Sequence, residues 1–233
     1  MKRIKTTHLF FGFSFLVTIC ISFFGDQWLL LYGKSITLLL LLFLCLKRIK
    51  NNKYLYLLSI LIVIMIDVFV CMGFVKYYTI IAILLALYYA IGTFLLRHFV
   101  HKQDFKINKV TPSVMVGGIL VGYLVYSISE LVLPKLIDQI GFMLLILISL
   151  LQFVTVCFFI YITERYEKAI CLFVAACCTL FVDAIVPINE LYYYNKMFVP
   201  LLTITEIGGV YSLTIFFMTA KPINGKIVED KYF

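Results

Sequence analysis

The chain has 233 residues, of which 64% are hydrophobic and only 14% are charged, and its formal net charge is +8. Its mean hydropathy of +1.06 excludes a soluble enzyme or a soluble binding module. The excess of positive charge does not indicate nucleic-acid binding, because the basic residues fall in short segments between apolar runs. The sequence therefore predicts an integral membrane protein, with no nucleic acid among its partners.

Apolar runs close to the length that crosses about 30 Å of hydrocarbon recur along the whole sequence. They predict an all-α fold, a polytopic membrane bundle of eight transmembrane helices in one integral membrane domain, 1–233. The first run lacks the small-residue cleavage pattern of a signal peptide, so we expect a retained helix. The predicted helices are 9–24, 28–46, 54–73, 78–96, 113–133, 140–162, 169–187 and 198–218.

The distribution of Lys and Arg predicts how these helices are oriented. With the amino terminus inside, sixteen of the twenty basic residues lie in inner segments, and the outer side keeps only Lys34, Lys76, Lys135 and Lys196. The positive-inside rule then places both termini in the cytoplasm. We expect a protein of the cytoplasmic membrane of a bacterium.

Spans three and seven contain similar short segments. Ile66-Asp67-Val68-Phe69-Val70 resembles Val182-Asp183-Ala184-Ile185-Val186, and with four spans in each half both segments run the same way through the membrane. One interpretation is a duplication of a four-helix unit, giving two repeats. The other is chance similarity between apolar runs.

Four charged side chains lie inside the predicted spans: Lys34, Asp67, Asp183 and Glu206. A charge at bilayer depth costs about 2–3 kcal/mol even on mild insertion scales, so such residues usually face the bundle interior. With the amino terminus inside, all four fall at a similar level in the outer half. Because pairing removes much of the desolvation cost, Lys34 is predicted to lie near Asp67 or Asp183. Three acids share one amine, so at least one acid is expected to hold a proton at neutral pH.

Hydroxyl side chains accompany the carboxylates at helical spacing. Three of them precede Asp183, Glu206 and Glu130 by three or four residues, which places each on the same helix face as a carboxylate. Two tyrosines of the fourth span are further candidates. The hydroxyls expected to line the polar interior and contact a substrate are Tyr88, Tyr89, Tyr126, Thr179 and Thr203.

Motifs for metal or nucleotide chemistry are absent from the sequence. His8, His98 and His101 all fall near or beyond the predicted inner surface, so we expect no intramembrane zinc site, no other metal and no cofactor. There is no G-x-S-x-G, phosphate-binding loop or HExxH motif.

The chain resembles the YhhN-like family of eight-helix membrane proteins, whose characterised members are lysoplasmalogenases. The segment Gly33-Lys34-Ser35 resembles the Lys-Pro motif of family helix two, with Ser35 in place of proline. Ile66-Asp67 and Val182-Asp183 resemble the Gly-Asp and Ser-Asp motifs of family helices three and seven, each without the small neighbour. The chain departs from the family in helix four, where Tyr88 or Tyr89 lies near the expected place of a histidine.

This resemblance implies hydrolysis of the vinyl ether of a lysoplasmalogen, a membrane lysophospholipid, to a fatty aldehyde and a glycerophospho-base. Asp67 and Asp183 would be the catalytic acid and base, Lys34 would hold one of them ionised, and Glu206 would assist. One alternative is a non-enzymatic proton-coupled carrier or lipid-binding membrane protein that uses the acids as protonation sites. Another is a set of ion pairs that only fixes helix register.

Overall fold

The structure, a computed structural model, describes residues 2–46, 52–100, 112–192 and 194–222. Within these residues the chain is all-helical, with eight α-helices and no strand beyond one isolated bridge between Tyr166 and Pro222. The helices are α1 (Lys2–Phe24), α2 (Gln27–Leu46), α3 (Lys53–Gly73), α4 (Tyr78–Leu96), α5 (Pro112–Val132), α6 (Ile140–Thr163), α7 (Ile170–Leu191) and α8 (Phe198–Thr219).

Seven of these helices, α2 to α8, are long and apolar enough to cross a membrane. In α1 the described apolar stretch is shorter, Leu9–Phe24. The predicted class, an all-α integral membrane protein with many spans, is confirmed at the level of these seven candidate spans.

Helix bounds differ from the prediction at two ends, and all others agree within one residue. Helix α1 begins at Lys2 and not at residue 9, because Lys and Arg propagate a helix well although they end the apolar run. Helix α7 continues to Leu191 past Pro187. A membrane helix tolerates an internal proline at the cost of one backbone hydrogen bond, here the bond to the carbonyl of Asp183 four residues earlier.

Contacts between helices run from α1 through α2, α3, α4, α6, α7 and α8 and back to α1, so these seven form a ring. Helix α2 also contacts α8 directly, so α1 packs on the outer side of the contact between α2 and α8. Hydroxyls join α1 to α2, with Thr37 Oγ1 2.7 Å from Ser14 Oγ and 2.9 Å from Thr18 Oγ1. Helix α5 packs mainly along α7.

The two ends of the bundle are called the Gln27 end and the Lys53 end, after the first residues of α2 and α3. Helices α2, α4, α6 and α8 start at the Gln27 end, and α3, α5 and α7 start at the opposite, Lys53 end. Each helix from α3 to α8 begins at the end where the preceding one finishes, and residues near the Gln27-end termini of seven helices line one common cavity.

Candidate functional site

Lys34 of α2 joins two carboxylates from other helices. Its Nζ lies 2.9 Å from Oδ1 of Asp67 in α3 and 2.5 Å from Oε2 of Glu206 in α8. The three side chains are 13%, 11% and 17% exposed, respectively. The predicted proximity of Lys34 to one of the two aspartates is confirmed, and the aspartate is Asp67. If both carboxylates are ionised, the triad has two negative charges and one positive charge, and its net charge is −1.

Asp183 of α7 has a different environment. The hydroxyl of Tyr89, from α4, donates a hydrogen bond to its Oδ2 at 2.5 Å, and Tyr89 is fully buried. Among the described residues, no basic nitrogen lies within 4.0 Å of Asp183. The two aspartates therefore differ in charge environment, since one is paired with an amine and the other with a neutral phenol.

The four charged groups lie at one depth. Lys34 and Glu206 follow the starts of their helices by seven and eight residues, and Asp67 and Asp183 precede the ends of theirs by six and eight. At 1.5 Å per residue, each lies roughly 9–12 Å from the Gln27 end. The prediction that these residues share one level is confirmed.

A cavity of about 330 Å³, the large cavity, brings all four groups together. Seven helices, α2 to α8, line it, and most of its walls are apolar. It extends to the Gln27 end, where Gln27, Asn189 and Tyr194 contribute to its lining. The charged groups therefore lie on the wall of an apolar chamber, an arrangement typical of ligand sites between membrane helices.

A second cavity of about 80 Å³, the small cavity, adjoins the same carboxylates. Asp183 and Glu206 line both cavities, whereas Tyr88, Tyr89 and Thr179 line only the small one. Because Tyr88 and Tyr89 lie further from the Gln27 end than the carboxylates do, the small cavity lies on the Lys53 side. Asp183 and Glu206 therefore lie where the two cavities adjoin, together with Ile66, Leu85 and Val182.

Asp67 keeps one carboxylate oxygen without a partner. Its Oδ1 accepts from Lys34, but its Oδ2 is buried and makes no hydrogen bond within the described part of the chain. Buried polar atoms are nearly always satisfied, by protein or by ordered water. This oxygen, on a residue that lines the large cavity, is therefore available to a water molecule or to a donor group of a ligand.

The expected hydroxyls divide between the two cavities. Thr203 lines the large cavity and donates to the carbonyl of Val199 at 2.8 Å, and Thr179 lines the small cavity and donates to the carbonyl of Ala175 at 2.8 Å. Both hydroxyl protons are thus engaged by the backbone, which leaves the oxygen lone pairs for a ligand.

The prediction that Tyr126 lines the polar interior is wrong. Its side chain is 64% exposed, on the side of α5 opposite Val125, Ile128 and Val132, which line the large cavity. Glu130 is exposed on the same outer face. The spacing correctly placed Tyr126 and Glu130 on one helix face, but that face points away from the bundle.

Two residues near the end of α7 belong to the site although the sequence analysis did not select them. Pro187 lines the large cavity and leaves the carbonyl of Asp183 without its usual helical donor. Asn189 is buried beside the cavity and accepts a hydrogen bond from the backbone N–H of Asn195 at 2.9 Å. A proline four residues after an intramembrane aspartate is the sequence feature that would have drawn attention to this segment.

The histidines are not part of this site as far as the structure describes them. His98 follows α4 at the Lys53 end, with its Nε2 3.2 Å from Nδ2 of Asn52. His101 and the side chain of His8 lie outside the described residues. Among the described residues, no group of three or more His, Cys, Asp and Glu side chains is placed to hold a metal ion.

No protein-family model, no curated protein and no solved structure matches this chain. Function is therefore inferred from the chemistry of the site. The apolar walls of the large cavity suit a hydrocarbon chain. Carboxylates in two different charge environments suit proton donation by one and charge stabilisation by the other.

Proposed function

We propose that this protein is a membrane hydrolase that cleaves the vinyl ether of a lysoplasmalogen to a fatty aldehyde and a glycerophospho-base. The observation that carries the proposal is the convergence of Lys34, Asp67, Asp183 and Glu206 on the wall of one apolar cavity. A lysoplasmalogen has its vinyl ether where its hydrocarbon chain meets its polar head. An amphipathic substrate of this kind places the reacting bond at the boundary between apolar wall and charged cluster.

The two charge environments assign different roles to the acids. Asp183, which has a phenol but no basic partner among the described residues, is the acid that carries a proton. Asp67 and Glu206, bound to Lys34, are the ionised carboxylates. An ion pair supports the charged form of each, whereas an isolated carboxylate in an apolar wall is costly to ionise.

In the proposed reaction, Asp183 transfers its proton to the β-carbon of the vinyl ether, the double-bond carbon that is not bonded to oxygen, and the ether becomes an oxocarbenium ion. The Asp67 and Glu206 carboxylates stabilise that positive charge, and one of them takes a proton from the attacking water as the hemiacetal forms. The hemiacetal then collapses. The carboxylate returns this proton to the leaving glycerol oxygen, the hemiacetal hydroxyl proton passes to Asp183, and the aldehyde is released.

Substitution of the two aspartates tests this assignment. Asp183→Asn and Asp67→Asn are each expected to slow aldehyde release from a lysoplasmalogen by at least about 100-fold, because general acid–base catalysis contributes about 10²–10⁴-fold. The assay uses purified protein in detergent with a chromogenic trap for the aldehyde. Glu130→Gln, which changes an exposed carboxyl of α5, is the matched control and should retain the parental rate. Aspartate variants that are correctly inserted and as fast as the parent would refute the proposal.

The competing non-enzymatic functions predict other results once the purified protein is reconstituted. A proton-coupled carrier reconstituted in liposomes moves solute or protons without producing aldehyde. A lipid-binding protein retains lysolipid without converting it. Aldehyde release that depends on Asp67 and Asp183 would distinguish the hydrolase from both.

We also propose membership of the YhhN-like family, with eight crossings and both termini in the cytoplasm. Family membership is supported by the positions of Lys34, Asp67 and Asp183 on α2, α3 and α7. The eighth crossing is supported by the packing of α1 along α2 and α8. Green fluorescent protein folds in the bacterial cytoplasm but not after export through the general secretion pathway. Fusions at either terminus should therefore both fluoresce, whereas a dark amino-terminal fusion beside a bright carboxy-terminal one would mean that α1 does not cross.

A further inference from the structure

The small cavity has room for water and carries several polar groups on a mostly apolar wall. A water molecule needs roughly 10–15 Å³ of cavity space and two to four polar partners. The small cavity, with about 80 Å³, therefore has room for several water molecules. Its lining supplies hydroxyls from Tyr88, Tyr89 and Thr179, together with the carboxyls of Asp183 and Glu206. Tyr88, Tyr89 and Thr179 place this chamber further toward the Lys53 end than the carboxylates.

A buried hydroxyl pair continues from the small cavity toward the Lys53 end. Val210 lines the cavity, and its carbonyl accepts a hydrogen bond from Thr214 Oγ1 at 2.6 Å. Thr214 is in turn hydrogen-bonded to the hydroxyl of Tyr56, and Cys45 Sγ lies 3.8 Å from that same hydroxyl. Since the Thr214 proton is given to Val210, Tyr56 is the donor to Thr214.

These groups occupy successive depths. Glu206 lies thirteen residues from the Lys53 end of α8, Tyr88 eight from the end of α4, Thr214 five from the end of α8, and Tyr56 three from the start of α3. At 1.5 Å per residue these depths are roughly 20, 12, 8 and 5 Å from that end. Tyr88 packs against both the apolar cluster that contains Tyr89 and the one that contains Tyr56, so it lies between the small cavity, which it lines, and the Tyr56–Thr214 pair.

We propose that the small cavity is hydrated and that, with Tyr88 and the Tyr56–Thr214 pair, it forms a proton path between Asp183 and Glu206 and the Lys53 end. Chains of hydroxyls, carboxyls and water are the usual elements of intramembrane proton relays. Together with the large cavity, which reaches the Gln27 end, this path makes the protein a conductor of protons across the bilayer. The proposal does not depend on lysoplasmalogen hydrolysis.

Proton flux through reconstituted protein tests the path. The full chain is placed in liposomes that contain a pH-sensitive dye, and a potassium gradient with valinomycin drives proton entry in the absence of lysolipid. We expect the parent to acidify the lumen at least fivefold faster than protein-free liposomes. Tyr56→Phe and Thr214→Val, which keep side-chain shape and remove one hydroxyl each, should lower the protein-dependent flux at least threefold, and Asp183→Asn should do the same.

A lipid-facing variant and a folding check keep the result interpretable. Tyr123 is exposed on α5 and lines neither cavity, so Tyr123→Phe should conduct as the parent does. Each variant is first shown to elute as the parent does in size-exclusion chromatography. A parental flux equal to that of empty liposomes overturns the proposal, as does unchanged flux in both Tyr56→Phe and Thr214→Val. Aldehyde release, measured separately, reports on the hydrolase alone.

Discussion

Lys34 is the residue on which the charged cluster depends. It is the partner of both Asp67 and Glu206, and all three side chains are largely removed from solvent. A buried ion pair contributes little net stability compared with an apolar replacement, but removal of only one partner leaves an uncompensated charge. Here the loss of one amine would leave two carboxylates facing one another.

Replacement of Lys34 by methionine should therefore destabilise the fold. We expect Lys34→Met to lower the free energy of unfolding by about 3–5 kcal/mol, the range for breaking a buried ion pair from one side. Thermal unfolding in detergent, followed by circular dichroism, measures the change. The surface substitution Lys196→Met is the control and should stay within about 0.5 kcal/mol of the parent.

A triple variant separates charge from packing. If charge is the cause, Asp67→Asn together with Glu206→Gln should restore part of the stability lost in Lys34→Met, because no unpaired anion then remains. If the stability loss of the triple variant equals the sum of the losses in the three single variants, the ion pairs are not the source of the effect.

At the scale of helices, small residues decide how closely α7 and α8 approach. A Cβ atom added to Gly209 would lie 2.9 Å from Cys178 Cβ, closer than real Cβ atoms come. A Cβ at the neighbouring Gly208 would meet nothing within 4 Å. Of two adjacent glycines, one is required by the helix interface and the other is not.

The pair Gly209→Ala and Gly208→Ala tests this difference. Gly209→Ala should cost about 1–3 kcal/mol, because the clashing atom is fixed to the backbone of α7 and the helices must separate. Gly208→Ala should be neutral or stabilising by up to about 1 kcal/mol, since alanine propagates a helix better than glycine. Unfolding midpoints of both variants in one detergent give the comparison. Equal changes in the two variants would mean that the contact between Gly209 and Cys178 does not set the stability here.

Helix α5 shows what a helical pattern leaves open. The spacing of Tyr126 and Glu130 fixes their common face, but not the direction in which that face points. Three cavity-lining residues on the opposite side, Val125, Ile128 and Val132, decide the orientation of α5 through its packing along α7. These three are apolar like most lipid-facing residues, so composition did not distinguish the two sides.

The large cavity is a property of the whole molecule, since seven helices line it and none of them encloses it alone. If the cavity holds the lipid chain, reducing its volume should impair hydrolysis without disturbing the charged groups. Leu147 of α6 lines the cavity, and Leu144 of the same helix is exposed on the outside.

Leu147→Trp is expected to lower the rate of lysoplasmalogen cleavage at subsaturating substrate at least tenfold, because the indole occupies part of a chamber of about 330 Å³. Leu144→Trp, which adds the same ring on the exposed face, should remain within twofold of the parent. Initial rates of aldehyde release from both variants decide the point. A Leu147→Trp protein that is as active as the parent would place the substrate chain elsewhere.

The sequence by itself determined the membrane class, the positions of the helices and the depth of the charged residues. Apolar length fixes where a helix crosses hydrocarbon, and a helical rise of 1.5 Å per residue then fixes the depth of every residue along it. Lys34, Asp67, Asp183 and Glu206 were therefore placed at one level before their neighbours were known.

Only the tertiary structure decided which of these groups touch. Residues at one depth on different helices are equivalent in the sequence, because helix order around the bundle and helix rotation depend on side-chain packing between segments far apart in the chain. That packing brought Lys34 into contact with Asp67 and Glu206 and brought Tyr89 into contact with Asp183. It also turned the side chain of Tyr126 away from the bundle. The division of one set of acids between two cavities is likewise a result of packing, since every helix contributes only part of each wall.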